Sequence, residues 1–444
     1  MNETRGNDEE KIIRAPNLPL LVDSLSTVIL KVHDYLKEVK FGENPWIFEA
    51  HLKFKSSEEL EFALFNTLKS GIKKYEEMKV APVTIGPSGD TAKFDSLFKE
   101  FGSQPVEGKL YEKLKRLCEV FLNNYKGRLL DLLSSKWNIE FNGKVKLIEG
   151  SGRMKLPSLV RSINIYEMGR FSGLRDTKST GPASKALFDV RADLGWWMLS
   201  HILPTVSMAH LERLPEGKET LITYVQFEPV RGVRYNYINL RCYSEILKAI
   251  EGHVGKTGFF IEDSELARLS LTLWAYYGTT HPLSYAGIGG GFRIRGIRLA
   301  GQRMQEAYIE ALPAGEVVLL DARLGQIFGS NARAVAEKTA KLGILLQQLI
   351  RKYQALASEL RLVRFAVLYR NFLRSLVEPG YAIPSEQFYE LQRFIETEDW
   401  RIRFIGVLTA WLKDGLEEDE ARDEAYRILD TVRGLVNMII SRVI

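Results

Sequence analysis

The sequence predicts an α+β protein, in which mixed N-terminal and central sheet-bearing regions are followed by a C-terminal helical bundle. Three observations lead to this prediction. Apolar residues recur at helical spacing in the N-terminal third, β-branched and aromatic runs between glycines dominate the middle, and helical periodicity continues from residue 331 to the end. These changes place predicted domain boundaries at 1–136, 137–330 and 331–444.

The N-terminal region is predicted to contain helices over residues 17–40, 56–79 and 108–133. Ser56 or Ser57 is the expected N-cap of the second helix, because acidic residues follow in its first turn. The segment 80–90 (VAPVTIGPSGD) is predicted to be a short β-like run that a glycine- and proline-containing turn interrupts.

The central region is predicted to contain strands as well as helices. We expect strands at residues 144–149, 159–166, 220–227 and 233–240, and a strand-like run that ends at Asp321. We expect helices near residues 183–210 and 264–277. In the C-terminal bundle, helices are expected near residues 331–377, 384–396, 400–413 and 417–442.

Composition excludes few classes of protein. The formal charge of +5 is small for 444 residues, so clustering of the positive charge carries more information than its total.

Cys118 and Cys242 lie in partly apolar stretches and are expected to be two buried thiols. The most apolar window, residues 194–209, is too short to span a bilayer and is predicted to be a buried helix. With no signal-peptide pattern, the protein is expected to be cytoplasmic, without membrane contact.

No complete catalytic or metal-binding signature is present, so the sequence predicts no catalytic residue, no metal and no cofactor. Residues 252–257 (GHVGKT) resemble a phosphate loop, but the run is two residues too short. The pair His33-Asp34 lacks the earlier histidine that HD-type phosphohydrolases require. One enzyme alternative stays open: a metal-dependent nuclease or other phosphoryl-transfer enzyme around Asp189, Asp193 and Asp321, since paired carboxylates can hold Mg²⁺.

Basic clusters are the stronger signal. Residues 287–303 (GIGGGFRIRGIRLAGQR) contain no acid, and alternation along a strand would place Arg293 and Arg295 on one face. Residues 169–185 form a second, loop-like basic cluster. Because arginine forks bind phosphate oxygens, both clusters predict contact with nucleic acid, at Arg170, Arg175, Lys178, Lys185, Arg293, Arg295, Arg298 and Arg303. A solvated hairpin and a surface loop without a partner are the alternatives.

A third basic segment, 331–377, holds nine basic residues and only two acids, Glu337 and Glu359. The helices that follow it are acidic, notably over 414–423. Two interpretations follow from this charge pattern. Either the two sets of charges pair inside the bundle, or the basic segment faces a polyanion or another subunit.

This arrangement, together with the VAPVTIGPSGD turn after a basic helix, resembles the large subunit of archaeal type I CRISPR surveillance (Cascade) complexes, in particular those of type I-A. The resemblance covers most of the chain as an architecture. It implies a non-catalytic subunit that reads a short motif beside a DNA target and contacts duplex or displaced single-stranded DNA. It also implies guide RNA–protein subunits and a separate helicase–nuclease as partners. A scaffold that binds acidic proteins is a further alternative.

Overall fold

The fold is that of a computed structural model, which describes residues 9–44, 47–79, 90–141, 144–149, 161–162, 190–213, 219–259, 263–280, 289–300 and 303–443. The predicted α+β class is confirmed. The chain divides into two compact units. The first comprises residues 1–247, 254–258 and 288–309, and the second comprises residues 248–253, 259–287 and 310–444. The segments 263–280 and 310–330, which the sequence assigned to a central domain, therefore belong to the second unit.

The described strands form three four-stranded sheets. Their bounds are β1 (Glu9–Pro16), β2 (Leu36–Phe41), β3 (Ile47–Phe54), β4 (Trp137–Phe141), β5 (Lys144–Ile148), β6 (Arg161–Ser162), β7 (Val190–Ala192), β8 (Met208–Arg213), β9 (Glu219–Glu228), β10 (Arg234–Asn236), β11 (Gly291–Ala300) and β12 (Arg303–Pro313). The strand orders are β1-β3-β2-β10, β5-β4-β7-β6 and β12-β11-β9-β8.

The described helices are distributed over both units. Their bounds are α1 (Pro19–Lys31), α2 (Ser57–Met78), α3 (Asp90–Glu100), α4 (Leu110–Asn124), α5 (Leu129–Leu133), α6 (Leu194–Ser207), α7 (Tyr237–Thr257), α8 (Ser264–Gly278), α9 (Ala314–Phe328), α10 (Ala332–Lys352), α11 (Gln354–Glu359), α12 (Leu362–Val377), α13 (Ser385–Glu396), α14 (Glu398–Leu412) and α15 (Glu418–Val443). No described helix is long and apolar enough to cross a membrane.

The sheet β1-β3-β2-β10 is antiparallel throughout and has two distinct faces. Alternate residues of its strands, such as Ala50 and Leu52, are buried in the core of the first unit. The residues between them, such as His51 and Lys40, are exposed. The period of two along a strand therefore separates an apolar inner face from a polar outer face.

Helix α1 packs against β9, and hydrogen bonds join them as well as apolar contacts. The amide Nε2 of Gln226 donates to Ser24 Oγ at 2.8 Å, and the backbone N–H of Phe227 donates to Thr27 Oγ1 at 2.8 Å. The polar side of α1 is thus turned inward, where its hydroxyl groups have strand partners.

The predicted helix over 17–40 is wrong in its second half, because residues 36–41 form β2. There Val39 and Phe41 alternate with exposed or half-exposed neighbours, and pairing with β3 satisfies the backbone. The helix predicted over 108–133 is interrupted by Gly127, whose φ of 74° is left-handed. The start of α2 is confirmed, since Ser56 Oγ accepts from the Glu59 N–H at 3.3 Å.

Three central predictions change for local reasons. The strand predicted over 233–240 ends at Asn236, whose side chain accepts from the Asn239 N–H at 2.9 Å and caps α7. Asp321 does not end a strand, because it lies within α9. The helix predicted near 183–210, and with it the apolar window at 194–209, is confirmed only over 194–207, where every residue of α6 is buried, because residues 190–192 form β7 and Met208 and Ala209 begin β8.

The second unit contains the predicted C-terminal helices, near their predicted bounds. The helix expected over 331–377 is divided at Tyr353 and again at Arg361, whose φ of 51° is left-handed. Helix α10 packs closely on α8 at Gly343, where a Cβ would overlap Ser270 Oγ. In the first unit, both cysteines are free, buried thiols, as expected.

Candidate nucleic-acid interface

Arg293 and Arg295 lie on one face of β11, as the alternation predicts, and that face is turned toward α1. Arg293 Nη1 donates to Asp23 Oδ2 at 2.8 Å, and Arg293 Nη2 pairs with Glu228. Arg295 is only 3% exposed, and its guanidinium nitrogens lie 3.5 Å from Asp23 Oδ2 and from Glu306 Oε2. Both arginines are therefore engaged by carboxylates of the same unit, which favours a structural role for them over contact with a ligand.

Asp23 is the centre of this buried charge cluster. Burial raises the pKa of its carboxyl from 3.8 to about 6, although Arg293 and Arg295 act in the opposite direction. Burial also raises the pKa of Glu306. At Asp23 the free-energy cost of burying the charged carboxylate is therefore larger than the stabilisation from its two ion pairs. The ionised form of Asp23 consequently lowers the stability of the first unit.

This raised pKa predicts an unusual dependence of stability on pH. The folded protein holds the Asp23 proton more tightly than the unfolded chain, so Asp23 favours folding below pH 3.8 and loses that contribution as pH rises through about 6. The loss amounts to about 3 kcal/mol. We expect the difference in free energy of unfolding between the wild type and Asp23→Asn to fall over this range in urea titrations. A difference that does not change with pH would contradict the assignment.

The other predicted contacts fall in less constrained places. Arg298 has a side chain that is 44% exposed and a Glu219 carboxylate at 3.6 Å. The backbone of Arg303 opens β12. Arg170, Arg175, Lys178 and Lys185 lie outside the described residues. Nucleic-acid contact at these six positions stays a prediction.

The basic segment 331–377 largely pairs within the second unit. Lys338 and Lys341 both contact Glu424, the latter at 2.8 Å. Three arginines follow the same pattern, with these partners: Arg364 with Glu390, Arg370 with Asp263 and Glu265, and Arg374 with Glu265 and Glu378. Internal pairing, one of the two interpretations of the charge pattern, accounts for these residues.

The aspartates of the enzyme alternative have structural partners where they are described. Asp193 caps α6 by accepting from the Trp196 N–H at 3.2 Å, and it also accepts from the Asn138 N–H at 3.1 Å. Asp321 lies on α9, and burial together with the nearby Asp321 carboxylate raises the pKa of Tyr276. Asp189 lies outside the described residues. Within the described ranges, no group of three or more histidine, cysteine or acidic side chains is placed to hold a metal ion.

The motifs at residues 252–257 and at His33-Asp34 have no catalytic geometry in the structure. Residues 252–257 are the last turns of α7 rather than a loop between a strand and a helix, so they do not form a phosphate loop. His33 is buried, with Nδ1 3.1 Å from the Leu30 carbonyl oxygen and Nε2 3.3 Å from Asp34 Oδ1.

An exposed basic surface lies instead on the outer face of the first sheet. Lys40 of β2 is directly opposite His51 of β3 on one side and Arg234 of β10 on the other. All three are exposed, and we call them the cationic row after the charges of Lys40 and Arg234. Glu38 lies 3.4 Å from Arg234, whereas Lys40 has no carboxylate partner among the described residues. Like charges directly opposite across strands repel, so a bound anion would relieve this repulsion.

Two partly exposed aromatic rings lie at one end of the same strand pair. Tyr35 immediately precedes β2 and Tyr237 immediately follows β10, and the two strands are antiparallel. The Tyr237 ring stacks on His33 at 6.2 Å between centroids, with an interplanar angle of 22°. Rings fixed beside a row of cations are what proteins use to hold bases and phosphates together.

A helix predicted over 17–40 gives no indication of this surface, because residues 36–40 belong to β2. The alternation of polar and apolar residues in HLKFK (51–55) was a usable signal for an outward-facing strand. Nothing in the local sequence indicated that Arg234, almost 200 positions further along, would lie beside Lys40.

No protein-family model matches this sequence, and no match to curated proteins was found.

Proposed function

We propose that this protein is a non-catalytic, nucleic-acid-binding subunit of a multi-subunit assembly in the cytoplasm. The cationic row on the open face of the first sheet carries this proposal. The architecture and its resemblance to CRISPR large subunits support a specific form of it. In that form the protein reads a short motif that flanks a DNA target, alongside guide RNA–protein subunits and a helicase–nuclease.

Physical chemistry favours a polyanion as the ligand of this face. Lys40 and Arg234 face each other across two strands, and phosphate groups can neutralise both charges. Tyr35 and Tyr237 add rings on which bases can stack. Backbone contacts position a protein on DNA without reading its sequence, so recognition of the flanking motif requires further contacts, for which Arg298 and the 169–185 segment remain the predicted residues.

The experiment that tests this proposal is a salt series on the purified protein with short labelled duplex DNA carrying scanned flanking motifs. For Lys40→Ala/Arg234→Ala, we expect binding to weaken on every sequence. We also expect the magnitude of the log–log salt slope to fall by about 1.8, since each phosphate contact contributes roughly 0.9.

The matched control is Lys99→Ala/Arg422→Ala, which removes the same charge from exposed positions on α3 and α15. It should leave the salt slope nearly unchanged. Equal losses in the two double variants would show that only the total charge matters. Absence of duplex binding at low salt would remove the proposal altogether.

A further inference from the structure

A cavity of about 520 Å³ opens on the first unit, and no residue of the cationic row lines it. It lies between α2, the turn at Lys126 and Gly127, and α5. Its size is within the range of pockets that bind small ligands. Its lining combines aromatic rings, lysines and carboxylates, so its chemistry is more specific than that of an apolar depression.

The wall of the cavity includes an aromatic ring in solvent. Phe62 is 62% exposed, while Phe65, one turn further along α2, is buried and also lines the cavity. Side chains three apart on a helix lie on the same face, so the two rings border one space. A phenylalanine this exposed offers a flat apolar surface that the fold of the first unit does not use.

Two ammonium groups lie beside the Phe65 ring, and one of them, that of Lys126, belongs to a residue that lines the cavity. Lys126 Nζ is 5.6 Å and Lys69 Nζ is 5.7 Å from the centroid of the Phe65 ring. Neither lysine has a carboxylate partner among the described residues. Both are exposed, so their charges are available to an anion at the mouth of the cavity.

The acids around the cavity are mostly engaged. Both carboxylate oxygens of Glu61 accept backbone N–H groups, from Leu129 at 2.7 Å and from Leu130 at 2.6 Å. Asp131 pairs with Lys11 at 2.9 Å. Glu58 is exposed and keeps hydrogen-bonding capacity for a ligand. The cavity therefore offers a stacking ring at Phe62, cations without a carboxylate partner, and a hydrogen-bond acceptor at Glu58, one turn before Phe62 on α2.

We propose that this cavity binds one unpaired base of a nucleic-acid strand together with its phosphate. The base stacks on Phe62, the phosphate contacts Lys126 and Lys69, and the Glu58 carboxylate accepts from N–H groups on the base edge. This proposal rests on the proposed function, because it gives the protein a single-strand site in addition to the cationic row.

The test uses the full-length protein and a 12-nucleotide single strand that carries one 2-aminopurine, whose fluorescence is quenched on stacking. Phe62→Ala should weaken binding about tenfold and abolish the quenching, because stacking on an aromatic ring contributes that order of affinity per base. Phe62→Trp should retain both the affinity and the quenching.

Lys126→Ala should weaken binding and lower the salt slope, whereas the quenching at saturation should stay unchanged. Tyr389→Ala removes an exposed ring from the second unit and should change nothing.

The outcomes separate the two proposals. If Phe62→Ala leaves single-strand binding and quenching unchanged while Lys40→Ala/Arg234→Ala still weakens duplex binding, the cavity proposal is overturned and the proposed function stands. If the wild-type protein binds neither single strand nor duplex, both fall. Because Phe62 is already in solvent, its replacement is not expected to disturb folding, and circular dichroism checks this directly.

Discussion

Replacement of Arg295 by methionine is expected to lower the free energy of unfolding of the first unit by roughly 3 kcal/mol. The guanidinium lies between Asp23 and Glu306 and is 3% exposed, so its removal leaves two carboxylates without this counter-charge. Methionine has a similar length and fills the same space, so the expected loss comes from charge rather than from a cavity. Urea unfolding monitored by tryptophan fluorescence gives the measurement.

The matched control for this variant is Arg298→Met, three positions along the same strand. Arg298 is 44% exposed, and its nearest carboxylate, on Glu219, is at 3.6 Å. Exposed pairs of this kind contribute little, so the free energy of unfolding should change by less than about 1 kcal/mol. Equal free energies of unfolding for the two variants would contradict the structural role of Arg295 as a buried counter-charge. Contact with nucleic acid would then again be the favoured role of Arg295.

Substitution of Gly296 by alanine should destabilise the first unit by roughly 2–4 kcal/mol. A Cβ at this position would overlap the Tyr308 ring, which lies over the glycine from the neighbouring strand. Tyr308 is itself held by a 2.7 Å hydrogen bond between its hydroxyl and Thr223 Oγ1. The ring has to move, and that hydrogen bond is lost with it.

A double-mutant cycle isolates this overlap. In a Tyr308→Ala background, the change from Gly296 to alanine should cost little, because the obstructing ring is gone. Gly315→Ala provides a second comparison, since nothing lies within 4 Å of a Cβ there and the residue is on α9. That change should be neutral or slightly stabilising. An equal cost of Gly296→Ala with and without Tyr308 would exclude the ring as the cause.

The two sets of basic residues show that neighbouring elements determine which charged side chains are exposed. Arg293 and Arg295 form the most conspicuous basic pair in the sequence, yet β11 turns them toward α1 and Asp23. Lys40 and Arg234 are unremarkable in the sequence, yet strand pairing places them side by side in solvent. A basic pattern on a strand reports which residues share a face, and the neighbouring elements decide whether that face is open.

The features that were predictable from the sequence are those that depend on local interactions. The α+β class, the C-terminal helices, the N-cap at Ser56 and the buried α6 follow from periodicity and capping over a few turns. Their stabilising contacts lie within each element or require only one apolar face.

The remaining features depend on contacts between residues that are far apart in the chain. Residues 36–41 have a pattern that suits a helix or a strand, and pairing with β3 selected the strand. The partner of Arg293 is Asp23, 270 residues away, and the partner of Lys40 across the sheet is Arg234. Contacts at such separations depend on how the whole chain folds, so no local pattern could reveal that one basic face is buried and the other open.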